Sequence, residues 1–267
     1  MSFAVVVRDE LGKLIATRRG WLALLGFALL WGGVLAYLIL PIARTLDGAG
    51  ASGLREAVLS ALGLSGLADW SAPQLAVYWL LALYLLPSFA VLIAADQTAS
   101  DLARGTLRFQ ALRASRATLF LGRFVAQCLV QLALVLVTLA SVLIVLAVQA
   151  PERLPGAFAA VPSLVLALLA SLLPFVALMA LCSALTRTPR QATLLAVTGL
   201  IGVSILLDQA RQRLGVEELF EHVLPGSESA ILRTLSGTDV LSRTGPPLLQ
   251  ALVLLALGLF VFARRRL

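Results

Sequence analysis

The sequence predicts an all-α, polytopic membrane protein with six transmembrane helices and both termini cytoplasmic, and three observations lead there. The first is composition: 267 residues, 60% hydrophobic and only 13% charged, with a mean hydropathy of +0.97. Soluble domains average roughly 45–50% apolar and about 25% charged, so lipid must be the solvent for most of this chain. The second is the set of charge-poor apolar windows, each near the ~20 residues that a bilayer crossing needs. The third is the distribution of basic residues between alternate loops.

Taken in chain order, residues 1–20 set Phe3, Val7, Leu11, Leu14 and Ile15 on one helical face and Arg8, Asp9, Lys13 and Thr17 on the other. That spacing describes an amphipathic helix lying in the cytoplasmic interface. The remainder, 21–267, is expected to be one six-span domain. The first span runs from about Trp21 to Ala43, the second from Gln74 to Ala95, and the third from Thr118 to Gln149 with Arg123 near its start. The fourth follows Pro162 and reaches Thr186; after the turn Arg187–Arg190 comes the fifth, Gln191 to Leu207, and the sixth runs from Pro246 to Ala263. A 23-residue first run without a small-residue cleavage pattern predicts a span and no separate signal peptide.

Between the second and third spans, residues 96–116 are polar, break at Gly105 and become strongly basic before the chain re-enters lipid. Outside, residues 44–73 suggest a short interfacial helix from Val58 to Leu67 with Trp70 at headgroup level. The longer outer segment 208–245 carries the pattern of two short amphipathic helices divided at Leu224-Pro225-Gly226.

Charge sorting fixes the predicted orientation. With the N-terminus inside, the cytoplasmic segments hold fourteen basic and four acidic residues, about +10, and the outer ones seven basic and ten acidic, about −3, which together make the net +7.

The same sparseness of charge excludes several chemistries. The single histidine, His222, lies in the outer segment, so a Ser-His dyad or a histidine metal site at membrane depth has no support. Met179 and Cys182 share a helical face, but two sulfurs alone read as packing rather than as a copper site. Neither they nor Cys128 suggest a disulfide. The polar residues within spans, chiefly Gln127, Gln131, Gln149 and Gln250, are expected to bond helix to helix. No ionisable relay and no Walker sequence occur, so energy for any transport must come from another subunit.

The order of segments and some local wording resemble the permease subunit of type 2 ATP-binding-cassette exporters. Arg8-Asp9-Glu10-Leu11 is similar to the family's opening Lys/Arg-x-Glu-Leu, and Asp101 to Leu107 to its acidic residue followed by Gly-Thr-Leu. Ser115-Arg116 with Leu121-Gly122-Arg123 resembles its Pro-x-Ser-Arg and Leu-Gly-Lys steps. The family often has Pro where Arg113 stands and Glu where Asp101 stands. The short external loops and Leu224-Pro225-Gly226 also resemble permeases of the nitrous oxide reductase maturation type.

The resemblance implies two permease subunits, identical copies being expected, around a central pathway in a bacterial inner membrane, driven by two cytoplasmic ATPases. Residues 96–107 would be the coupling helix, with Asp101, Arg104, Gly105, Thr106 and Leu107 engaging the ATPase and Glu10, Lys13, Arg113 and Arg116 supporting that interface. Asp101 and Arg104 would make charge-assisted contacts in the ATPase groove. No cofactor is expected on this chain, ATP and Mg belonging to the partner, and no nucleic acid. Two alternatives carry different expectations: a permease that transmits force to a periplasmic partner docked on 208–245, and an intramembrane lipid-modifying enzyme.

Overall fold

A computed structural model describes residues 2–47, 70, 72–95, 97–214, 224–227, 241 and 243–265. The interfacial helix expected at 58–67 and most of the outer segment 208–245, His222 included, lie outside the described residues. Among the described residues every regular element is helical.

Helix α1 (Phe3–Ala16) ends at Thr17, whose extended backbone and side chain start the next helix: its Oγ1 accepts from Gly20 N at 3.1 Å. Helix α2 (Arg18–Val34) passes through a π-helical turn (Leu35–Ile39) into α3 (Leu40–Asp47), and the three together make the first span. A proline ring at position 41 would meet the carbonyl four residues earlier, at Tyr37, and the widened turn lies across that point. Helix α4 (Pro73–Ala94) is the second span. Two six-residue helices, α5 (Ala99–Arg104) and α6 (Thr106–Ala111), follow, then the 34-residue α7 (Arg116–Gln149). After a 3-10 turn at Pro151–Arg153 come α8 (Leu154–Leu185), α9 (Pro189–Leu214) and α10 (Gly245–Arg264). Six helical stretches are long and apolar enough to cross a membrane, so the chain is a multi-pass membrane protein.

Two boundaries differ from the sequence reading. The fourth span starts at Leu154, so Pro162 and Pro174 lie inside α8. In a lipid-spanning bundle, neighbouring helices and side-chain hydroxyls satisfy the backbone groups that a proline frees, so proline there is no stop signal. Ser163 Oγ donates to Ala160 O at 2.9 Å and Ser171 Oγ to Leu168 O at 2.8 Å, each beside one of these prolines. Helix α9 likewise runs on to Leu214 and carries Asp208 within it. Among the described side chains of α1, Val6 is buried, Val7, Glu10 and Leu11 are half-buried and Phe3 is exposed, and the helix packs along α7.

Helix α8 is the centre, touching α4, α7, α9 and α10. The α2–α4–α7 side is pinned by aromatic and polar contacts. Phe27 meets Phe89 edge-on, with ring centres 5.0 Å apart, and Trp31 meets Tyr78 edge-on at 5.8 Å. Trp31 Nε1 donates to Ser141 Oγ at 2.9 Å, and the Tyr78 and Thr138 hydroxyls are 3.1 Å apart. These bonds, not the glutamines, join the helices there: Gln127 Nε2 and both amide atoms of Gln131 are buried without a hydrogen-bond partner among the described residues. Gln250 does bond, from Nε2 to Leu224 O at 3.2 Å.

Candidate coupling site

At the end of the bundle that carries both termini, α5 and α6 form a hairpin held from three sides. Its hinge is Gly105, at φ +70°, a left-handed conformation that costs an L-residue roughly 1–2 kcal/mol. Its root is tied to α8: Gln97 Nε2 donates to Val176 O at 3.3 Å, and Thr98 Oγ1 to Ser183 Oγ at 3.0 Å. Its exit is capped by Ser115, whose Oγ accepts from Thr118 N at 3.1 Å and so opens α7.

Inside the hairpin, Asp101 is buried and accepts from several donors. Thr106 Oγ1 donates to Oδ1 at 3.0 Å and Arg104 Nη2 lies 3.3 Å from the same oxygen. Arg123 Nη2 donates to Oδ2, and Lys13 Nζ stands 3.6 Å from it. Burial by itself would raise the Asp101 carboxyl, but Arg123, Lys13, the Thr106 hydroxyl and Arg104 together hold it below the ordinary carboxylate value.

Arg123 is the hub of this cluster. Its side chain is 2% exposed, two turns into the third span, and its guanidinium reaches three elements: Asp101 on α5, Gln110 Oε1 on α6 at 2.7 Å, and Glu10 Oε1 on α1, 3.1 Å from Nε. Lys13 Nζ closes the ring on Glu10 at 2.7 Å. A buried ion pair is stabilising only when its geometry and extra hydrogen bonds offset several kcal/mol of desolvation per ion; shared partners of this kind supply that. Close packing puts the ring within reach, because Gly122 lets α1 lie against α7. A Cβ at that position would stand 2.8 Å from Val6 Cγ1.

The profile of the ABC-2 family transporter protein matches residues 4–235. This chain belongs to the ABC-2 family. A search of curated proteins gives no match. As an ABC-2 protein it is a transmembrane permease subunit of an ABC transporter, the membrane component rather than the ATPase.

Within this ABC-2 permease the residues singled out from sequence separate into two groups. Glu10, Lys13, Asp101, Arg104 and Thr106 meet in the ring, Gly105 provides its hinge, and Leu107, 1% exposed, roots α6 in the apolar core. Asp101, which the resemblance placed at the ATPase contact, is 8% exposed and turned into the protein. Arg116 stands apart: its Nη1 donates to Ala263 O at 2.6 Å and Arg265 O at 2.9 Å, capping the end of α10. Arg113 lines a small cleft between α1 and α6 with Asp9, Glu10, Phe109 and Leu112. The outward face of the hairpin adds two residues that sequence reasoning passed over, Phe109 at 72% exposed and Leu112 at 85%, beside the exposed Arg104 and Arg108. Phe109 and Leu112, flanking Gln110 between Arg108 and Arg113, were the available signal. Arg123 was also visible, as a charge inside an apolar run, but it was read as a topology marker. Met179 and Cys182 sit with Ala94, Ala95, Ala192 and Ala196 in an apolar cluster.

Proposed function

We propose that this permease pairs with a second copy of itself in a bacterial inner membrane, with both termini cytoplasmic, and moves its cargo by coupling the α5–α6 hairpin to two cytoplasmic ATPases. The observation that carries this reading is the build of the hairpin. Its inner side is locked to α1, α7 and α8 by the Arg123 ring and the Gln97 and Thr98 bonds, while its outer side offers Phe109 and Leu112 to solvent. A lever needs both a stiff attachment and a free contact face, and exposed aromatic and aliphatic anchors rimmed by arginine suit a docking spot on a protein groove. The charge vector, about +10 on this side of the membrane, agrees with a cytoplasmic hairpin.

On this reading Asp101 keeps the lever in shape, Arg104 and Arg108 rim the contact, and Phe109 and Leu112 enter the ATPase. Replacing Phe109 and Leu112 together by Ser should leave the permease's own melting temperature within a degree or two. It should also cut co-purification with its ATPase and the stimulation of ATP hydrolysis by about tenfold or more, the scale of losing one or two buried anchors. Undiminished assembly and stimulation in that variant would remove the hairpin's outer face from the mechanism.

A further inference from the structure

Beside the ring, a cavity of about 640 Å³ opens between α1, α2, α4 and α7. Its lower end is polar, lined by Glu10, Lys13, Thr17, Arg123 and Gln127, with Gln97 at its edge. Its upper walls are apolar, formed by Leu22, Gly26, Phe27, Leu30, Phe89 and Leu92. Six residues of α2 between Gly20 and Leu30 line it, so it climbs about 15 Å from the interface at ~1.5 Å per residue. Gly26, Leu22 and Leu30 are also exposed on the outside of α2, so the upper part communicates sideways with the surroundings of the bundle.

The polar end is short of acceptors. Arg123 Nη1 and Gln127 Nε2 are both buried and have no hydrogen-bond partner among the described residues. Both are donors, and both belong to side chains that line the cavity. Native structures rarely leave such groups unpaired, because each costs about 1–3 kcal/mol, more when charged. The two cations of the lining, Lys13 and Arg123, are shared with Glu10 and Asp101 in the ring, so it is the unused Nη1 of Arg123 that is left for an acceptor. One turn deeper on the same stripe of α7, Gln131 is buried with neither amide atom bonded among the described residues.

We infer that this cavity is a binding site for an amphiphile with a phosphate head and an acyl tail. The head accepts from Arg123 Nη1 and Gln127 Nε2 at the interface, and the tail lies between α2 and α4 along Gly26, Phe27 and Phe89. The same guanidinium then meets the ligand on one edge and Asp101 of the hairpin on the other. The inference does not depend on which ATPase drives the permease. The chemistry is shared by two sources, a bilayer phospholipid and a free single-chain phosphate amphiphile, and the test separates them.

The full-length permease, purified in dodecyl maltoside, is titrated with dodecyl phosphate and followed by phosphorus NMR line broadening. In parallel it is placed in phosphatidylcholine nanodiscs doped with tail-spin-labelled phosphatidylglycerol, and the immobilised fraction is read by electron paramagnetic resonance. Gly26→Phe fills the tail channel at a position where an added Cβ meets nothing within 4 Å. Gln127→Leu removes one head donor, and Leu25→Phe, on an exposed part of α2 that does not line the cavity, is the control. Saturable binding that weakens about tenfold in Gly26→Phe and Gln127→Leu, but not in Leu25→Phe, is the expected result. Such binding for dodecyl phosphate alone supports a free amphiphile as the source, and for phosphatidylglycerol as well, a bilayer lipid. No saturable binding of either probe, or binding unchanged in Gly26→Phe, would overturn the inference.

Discussion

The corner made by α1, α5, α6 and the start of α7 differs sharply from the wing made by α9 and α10. In the corner, four elements share one ring of charges, and Arg123 alone reaches three of them. In the wing, the span formed by α9 is only 11% buried, against 56% for that of α8, and an open groove of about 800 Å³ separates it from α10. That groove is walled mainly by Leu, Val, Ala, Gly and Pro side chains, among them Leu195, Val203 and Leu249. The contrast shows where this bundle is determined by itself and where it leaves faces to lipid or to other chains. Over-determination at one corner makes a stiff transmitter; the sparse packing of α9 costs little because lipid tails are as apolar as leucine and solvate it.

The comparison breaks most severely at Arg123. Arg123→Met leaves the buried Asp101 carboxylate without its main partner, while Glu10 keeps Lys13, a loss of about 3–5 kcal/mol. The expected readouts are a fall in melting temperature and faster amide exchange over residues 99–111. Adding Asp101→Asn to Arg123→Met should recover part of that loss, because the uncompensated charge rather than the missing bond is the larger cost. If Arg123→Met melts with the parent protein and its hairpin exchanges no faster, the ring is ornamental and the corner no stiffer than the wing.

Next comes the seat of α1. Gly122→Leu drives new atoms into the space of Val6, whose Cγ1 is already 2.8 Å from where a Cβ would stand, and overpacking of that kind costs typically ~1–3 kcal/mol. Since Glu10 and Lys13 ride on the same helix, the variant should loosen the ring from the α1 side, seen as increased reactivity of a cysteine placed at exposed Ala4. The compensating change Val6→Ala should restore protection. Reactivity that stays at the parent level in Gly122→Leu alone would show that α1 is held by the interface and not by α7.

How much of this was legible in the chain follows the same division. Span existence and order came through because hydropathy sums over twenty residues and tolerates local errors. Boundaries came through less well: Pro162 reads as a stop in a soluble protein, yet α8 continues through it, as helices packed in a lipid-spanning bundle can. In the corner, the residue types were readable but their directions were not. Two six-residue helices joined at a left-handed glycine have no periodicity from which to tell an inward Asp101 from an outward Phe109. Arg123 shows the other limit. A charge near a span's start can hold topology or anchor a loop, and only the distances to Glu10 and Gln110 decide between them.

The hinge is a smaller lever on the same corner. Gly105→Ala has room for its Cβ, with nothing within 4 Å, so the cost is the backbone's alone at φ +70°, about 1 kcal/mol. Gly105→Asn should cost less, because Asn adopts the left-handed region more readily than Ala. The ranking Gly, then Asn, then Ala in hairpin amide protection is the expected order, and an equal effect of Asn and Ala would point to a steric rather than a conformational cause.

The smallest effect belongs to the wing, and it is the one that makes the contrast quantitative. Leu249 lines the groove on α10 and is 65% exposed, so Leu249→Ala removes a side chain that the bundle does not use for its own packing. Fully buried leucines lose about 2–5 kcal/mol on truncation to alanine, and exposed positions usually stay within about 0.5 kcal/mol. Leu164 of α8, 1% exposed, supplies the internal reference. Measured in the same detergent, Leu164→Ala should lower the melting temperature by several degrees and Leu249→Ala by less than the error between preparations. A Leu249→Ala cost approaching that of Leu164→Ala would mean that the groove is closed by chain in the working protein, and that the wing is as much a part of the packed core as α8.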